Sequence, residues 1–365
     1  MDALIRPPMS FFADLPKDNK KCIKIGSPLA LSLSDCLACS GCVSADEAGA
    51  LSEDLSFVLD LSPQTSFVLS PQSKINIFNL YREDGMEYRE FEAVLSSFLR
   101  SKFNIHRIVD TSYLRSKIYE ETYREYMATN HLIVSACPGV VTYIERTAPY
   151  LIGYLSRVKS PQQMAFSLVK GSRTVSVMPC QDKKLENGRD GVKFDFILTT
   201  RGFCKALDSL GFRRPARASG KSLCSMEEAE TTQWNIGTSS GGYAEFILGK
   251  HCVVETREIR NGIKEHLLDD GRTISQITGL ENSINYFKSS KTKGPRHKMT
   301  EIFLCKNGCI GGPGQERVND VEMDIREYDR NGREQPRIFY SSPGLEEKRV
   351  FREVKAKRVD LRVDW

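Results

Sequence analysis

Thr174-Val175-Ser176-Val177-Met178-Pro179-Cys180 is a short run rich in β-branched residues that stops at proline and delivers a cysteine into the turn. The same pattern occurs twice more. His131 to Ser135 runs into Ala136-Cys137-Pro138-Gly139, and Thr300 to Leu304 runs into Cys305-Lys306-Asn307-Gly308-Cys309. Apolar runs broken by Gly or Pro read as buried strands. Amphipathic stretches such as Glu87 to Lys102 separate them, and this alternation predicts an α/β fold with mainly parallel sheets. Open α/β sheets bind ligands outside the carboxyl ends of their strands. Cys137, Cys180, Cys305 and Cys309 are therefore expected to meet in one cleft, although they are far apart in sequence.

Outward from these three stretches, 66–72 reads as a buried strand ending in a turn at Ser70-Pro71, 104–110, 194–199 and 252–259 as further strands, and 242–248 and 277–288 as helices. The simplest organisation is two α/β lobes, 51–170 and 171–340, preceded by a small module at 1–50 and followed by a basic tail at 341–365. A chain of 365 residues, 27% charged and 40% apolar, has ample material for two or three packed units.

The module at 1–50 carries a second quartet, Cys22, Cys36, Cys39 and Cys42, among small polar residues. Cys36-Leu37-Ala38-Cys39-Ser40-Gly41-Cys42 is a C-x2-C-x2-C run that suits three corners of one [4Fe-4S] cube, with a fourth thiolate from elsewhere, for which Cys22 is the candidate. Structural zinc sites usually pair two separated C-x2-C knuckles, so iron-sulfur outweighs zinc. Too few large apolar groups surround these cysteines for an independent core, and metal is expected to organise the module.

The opening MDALIRPPMSFFADL has no basic segment followed by an apolar one, and no stretch approaches the ~18 apolar residues of a membrane span. The expected place is the cytosol or nucleus, with no membrane association. There, eleven cysteines at such spacings favour metal over disulfides. The formal charge of +5 is weak support for nucleic-acid binding, because two thiolate-bound cubes would bring it to about +1. The basic stretch from Lys348 to Arg362 lacks interleaved aromatic residues and reads as a solvated surface.

Other chemistries find little support. His106, His131, His251, His266 and His297 show no metal-binding spacing, and neither a G-x4-G-K-[ST] loop nor a G-x-S-x-G elbow occurs. Cys204 and Cys252 read as small buried apolar groups, and Cys224 follows a polar stretch.

The second quartet resembles the iron-only hydrogenase superfamily. Three loops, Ser135-Ala136-Cys137-Pro138-Gly139, Met178-Pro179-Cys180-Gln181-Asp182-Lys183-Lys184-Leu185-Glu186 and Cys305-Lys306-Asn307-Gly308-Cys309-Ile310-Gly311-Gly312, occur in that family's order. Over residues 20–320 the chain is similar to the branch of cytosolic iron-sulfur protein assembly factors, which includes nuclear prelamin A recognition factor-like proteins. Asp35 to Cys42 and Gly241-Gly242-Tyr243-Ala244-Glu245 carry that likeness.

The resemblance implies a two-lobed hydrogenase-like body, two [4Fe-4S] clusters on the two quartets, and an adaptor that helps deliver clusters to cytosolic and nuclear apoproteins. It also implies an upstream scaffold of cluster assembly as a partner. Hydrogen activation is not expected: Ala136 stands where hydrogenases carry a proton-relay cysteine, and a methyl group carries no proton. Lys183 and Glu186 remain at positions that, in hydrogenases, contact the diiron subsite and lie along the relay. Lys306-Asn307 and Pro313 depart from the usual Pro-Gly and glycine. The competing reading is a redox enzyme or electron carrier of the same superfamily.

The end, Leu361-Arg362-Val363-Asp364-Trp365, resembles the branch's terminal tripeptide, read by a targeting complex that contains a WD40 propeller subunit. An indole beside a terminal carboxylate is a good docking element.

Overall fold

The computed structural model describes residues 53–213, 240–316 and 348–353. Cys22, Cys36, Cys39, Cys42, Cys224 and Trp365 lie outside the described residues.

Strand β1, Thr65–Leu69, is buried along its whole length. Its side chains alternate between two cores: Phe67 and Leu69 face one, Val68 the other. Two-sided burial of this kind is what a central parallel strand requires. The expected turn after β1 is instead the start of helix α1, Pro71–Tyr81: the Ser70 hydroxyl accepts from the Ser73 amide at 3.1 Å, and Pro71 sits in the first turn. Helix α2, Tyr88–Lys102, buries Phe91, Leu95 and Leu99 at helical spacing and ends at the extended Phe103. Strand β2, Ile105–Asp110, follows. Lys74 on α1 lies between Glu92 on α2 and Asp110 of β2, a buried ion triad that ties three elements together.

Helix α3, Arg115–Ala128, leads to strand β3, Leu132–Val134, then helices α4, Pro138–Thr147, and α5, Pro161–Val169. Strands β4, Arg173–Met178, and β5, Phe196–Thr199, come next, with helix α6, Thr200–Ser209. Helix α7, Tyr243–Leu248, precedes strands β6, Val253–Arg260, β7, Ile263–Leu268, and β8, Thr273–Thr278; helix α8, Leu280–Lys293, and strand β9, Met299–Phe303, close the series.

The strands form two sheets, β2-β1-β4-β5 and β3-β9-β8-β7-β6. The first is wholly parallel. The second is mixed: β3, β9 and β8 run parallel, while β7 and β6 add an antiparallel edge. That edge corrects the expectation of mainly parallel sheets throughout. The Asn261-Gly262 turn makes it, with Gly262 at φ 84°.

The sheets do not divide at residue 170. β3, from before it, pairs with β9, and β4 and β5, from after it, pair into the sheet begun by β1. One core cluster links the two sheets, holding Val68, Val109, Met178 and Ile197 of the first and Ile133, Ile274, Met299 and Ile302 of the second together with helix residues such as Ile118, Ile144 and Ala165. Among the described residues no helix is long and apolar enough to cross a membrane.

Candidate metal centre

Three strand ends position the second quartet. Cys137 follows β3 and stands at the N-cap of α4, with Pro138 in the first turn. The Ser135 hydroxyl accepts from the Cys137 amide at 3.1 Å and donates to the Ile302 carbonyl at 2.6 Å, fixing this loop to β9. Cys180 follows β4 and opens a short 3-10 turn, Gln181–Glu186. Cys305 follows β9, and Cys309 sits in the 3-10 turn Gly308–Gly311. Strand ends of the two sheets thus meet: Cys137, Cys180, Cys305 and Cys309 all line a single cavity.

Gly312 and Gly314 let the third loop close on the second: a Cβ on Gly312 would meet the Pro179 carbonyl oxygen at 2.3 Å, and one on Gly314 the Cys180 Cα at 3.0 Å. The Gly314 amide donates to Pro179 O at 3.0 Å, and its own carbonyl accepts from Arg201 N at 2.9 Å. Gly308 adopts φ 62° with Ser240 against it, and the Ser240 hydroxyl accepts from the Ile310 amide at 3.3 Å.

The thiols are held neutral. Burial pushes Cys137 up to about 12, with further contributions from Asp182 and Cys309. Burial, then Asp182 and the other three cysteines, lifts Cys180 well above the thiol range, and burial followed by Cys137 and Cys309 does the same to Cys305. Cys309 is also raised by burial, opposed by the cations Lys183 and Arg115. As thiolates the four would repel one another, so they would ionise together only around a cationic centre that takes all four.

Among the described residues no three His, Cys, Asp or Glu side chains are gathered closely enough for a single metal ion. The donor set is four thiols spread around one cavity. Thiolate donors of this kind suit iron-sulfur centres and zinc alike.

Lys183 and Glu186 form a buried ion pair at 3.1 Å, and the Lys183 ammonium also donates to the Ala136 carbonyl oxygen at 2.8 Å. Ser160 donates to Glu186 at 2.8 Å. These groups are engaged with one another beside the cavity.

The family described as "Iron only hydrogenase large subunit, C-terminal domain" matches residues 64–313, which include all four of these cysteines. The chain belongs to the iron-only hydrogenase family. Several curated relatives are named as assembly proteins. It is 28% identical over 355 residues to the "Probable cytosolic Fe-S cluster assembly factor oxy-4" of Caenorhabditis elegans, covering 85% of this chain and 75% of that one. It is 29% identical over 353 residues to the "Cytosolic iron-sulfur assembly component 3" of Mus musculus, covering 80% and 73%. A third relative, "Cytosolic Fe-S cluster assembly factor NAR1" of Kluyveromyces lactis, is 33% identical over 306 residues, covering 76% and 62%. An apo variant of [FeFe]-hydrogenase HydA1 from Chlamydomonas reinhardtii superposes with a TM-score of 0.55 at 19% identity, covering 74% and 83%. At that identity the likeness is one of fold. The iron-only hydrogenase fold expected from the three loops is present.

Two expectations outside the quartet are corrected. Cys252 is exposed, just before the solvated edge strand β6, whereas Cys204 is buried as expected. Arg349, read as part of a solvated basic surface, is only 7% exposed. Its guanidinium donates to Ser156 O at 2.8 Å and Ser135 O at 3.4 Å. No spacing or composition in the sequence distinguishes Arg349 from the basic residues around it.

Proposed function

We propose that this iron-only hydrogenase family member is a component of the cytosolic iron-sulfur assembly machinery that binds two [4Fe-4S] clusters and helps deliver clusters to cytosolic and nuclear apoproteins. The observation that carries the reading is the convergence of Cys137, Cys180, Cys305 and Cys309 on one cavity. Those four would hold an inner cluster, and Cys22, Cys36, Cys39 and Cys42 an outer, more exchangeable one. Held by these four thiolates, an inner cluster would tie together strand ends from both sheets.

The relatives' names support assembly over hydrogen turnover. So does Ala136, whose side chain holds no transferable proton, and so does Lys183, whose ammonium is committed to Ala136 O and Glu186. Trp365 would dock to the cytosolic iron-sulfur targeting complex with its WD40 propeller subunit, and deleting it is expected to abolish that binding.

The test is iron, acid-labile sulfide and zinc per chain after anaerobic purification. About eight irons and eight sulfides are expected for two cubes. Two further irons without sulfide would indicate a hydrogenase, and zinc in place of iron would overturn the reading.

A further inference from the structure

We propose that residues 348–353 form a strap that latches the Cys137 ligand loop, with Arg349 as the positioning residue. This rests on the reading of Cys137 as an inner-site ligand, and the strap itself is described by contacts that do not depend on a bound cluster.

The strap is pinned at four places. The Arg349 amide donates to the Arg157 carbonyl at 2.7 Å, and the Arg349 guanidinium reaches the carbonyls of Ser135 and Ser156. The Val350 amide donates to the Asp190 carboxylate at 3.0 Å, and the Arg352 amide to the Glu145 carboxylate at 3.3 Å. Phe351 packs on the core cluster that links the sheets, with the Arg349 guanidinium 5.3 Å from its ring centre.

Cys137 joins the end of β3 to the first turn of α4. The strap reaches the β3 side directly at Ser135, two residues before Cys137, and meets α4 toward its far end, at Glu145. β3 is an outer strand of its sheet; Leu155 bridges it at Ile133, and the Ser156 amide donates to Ile133 O at 2.8 Å. Arg349 then clamps the far side of that added segment. A guanidinium buried this deeply needs compensating charge, and Glu186, Glu125 and Asp190 supply it. Cys180, in contrast, is held by Pro179 against Gly312 and Gly314. Loss of Arg349 is therefore expected to free one ligand of the four.

The experiment uses the full chain, purified anaerobically, in wild-type form and as Arg349→Met, Arg349→Lys and Arg352→Ala. Iron loss to a ferrous chelator is followed first, and iodoacetamide labelling of each cysteine in the stripped chain is then resolved by mass spectrometry. Arg349→Met is expected to speed labelling at Cys137 roughly tenfold, the scale of one or two lost charged hydrogen bonds, with Cys180 unchanged. Arg349→Lys, which keeps the charge and is the milder change, should fall between. Arg352→Ala should match wild type, because Arg352 contributes its backbone amide. Iron loss should accelerate in the same order.

An unchanged Cys137 rate in both Arg349 variants would overturn the latch. Equal acceleration at Cys137 and Cys180 in Arg349→Lys would also overturn it, as general loosening. A wild-type chain that binds no iron but shows the expected labelling contrast would overturn the cluster reading and leave the latch standing.

Discussion

The Lys183 ammonium donates to the Ala136 carbonyl oxygen at 2.8 Å, joining the second cysteine loop to the first across the edge of the cavity. Its remaining charge is met by Glu186, and both side chains are 6% exposed. Removing one partner of such a pair strands a buried charge, at a cost of about 3–5 kcal/mol. Lys183→Met should lower the urea-unfolding free energy of the iron-free chain by that amount. The double variant Lys183→Met/Glu186→Gln, which removes both members of the pair and leaves Arg349 to Glu125 and Asp190, should recover part of the loss. Equal stability of the single and double variants would count against the pair.

Gly312→Ala should cost the inner iron selectively. The new methyl would meet Pro179 O at 2.3 Å, and backbone on both sides leaves no flexible side chain to yield. The third loop must part from the second, so iron per chain is expected to fall by about half, to roughly one cube's worth. Gly153→Ala, with nothing within 4 Å, is the control and should retain full iron.

Burial, reinforced by the neighbouring Glu245 charge, raises Glu301 from 4.5 to about 8, although the Tyr243 and Ala244 amides donate to it. The folded chain therefore holds a proton between those two values that the unfolded chain releases. This contribution to stability is fully present below pH 4.5 and is lost as pH rises through about 8. Denaturant titrations between pH 5 and 9, a window of roughly this width, should show that decline, flattened in Glu301→Gln. An identical slope in the variant would assign the decline to other groups.

The two hairpin glycines should separate conformational from steric cost. Gly262 and Gly271 share φ near 80°, at 84° and 80°, but a Cβ on Gly262 would meet Thr278 O at 2.6 Å while one on Gly271 meets nothing within 4 Å. Gly271→Ala should cost about 1 kcal/mol from the left-handed backbone alone. Gly262→Ala should cost measurably more in thermal melts.

Much of this architecture was legible because its signals are local. Thr174 to Cys180 and Thr300 to Cys305 announce strand and turn within a few residues, and helix α2 declares itself through Phe91, Leu95 and Leu99. Three features escaped. Ser70-Pro71 reads as a turn but caps a helix, a distinction settled by what α1 packs against. β7 and β8 went unforeseen, although Asn261-Gly262 is a strong hairpin signal. Arg349 could not be singled out at all, because its burial depends on which carbonyls the distant Ser135 and Ser156 present. The convergence of Cys137, Cys180, Cys305 and Cys309 was expected from strand ends, and the structure brings those four side chains to one cavity.

The exchange of strands across residue 170 has a consequence for how the molecule is born. Leu132 pairs with Met299, and the third cysteine loop lies beyond that. During synthesis, β3 therefore waits without its partner until nearly the whole body has left the ribosome, with an open edge in the meantime. Contacts between such distant residues form slowly. No fragment ending before Cys309 possesses the four-thiol cavity, so a metal centre held there would form only once the third loop has been made, and a half-made chain could not capture iron on these four thiols out of turn.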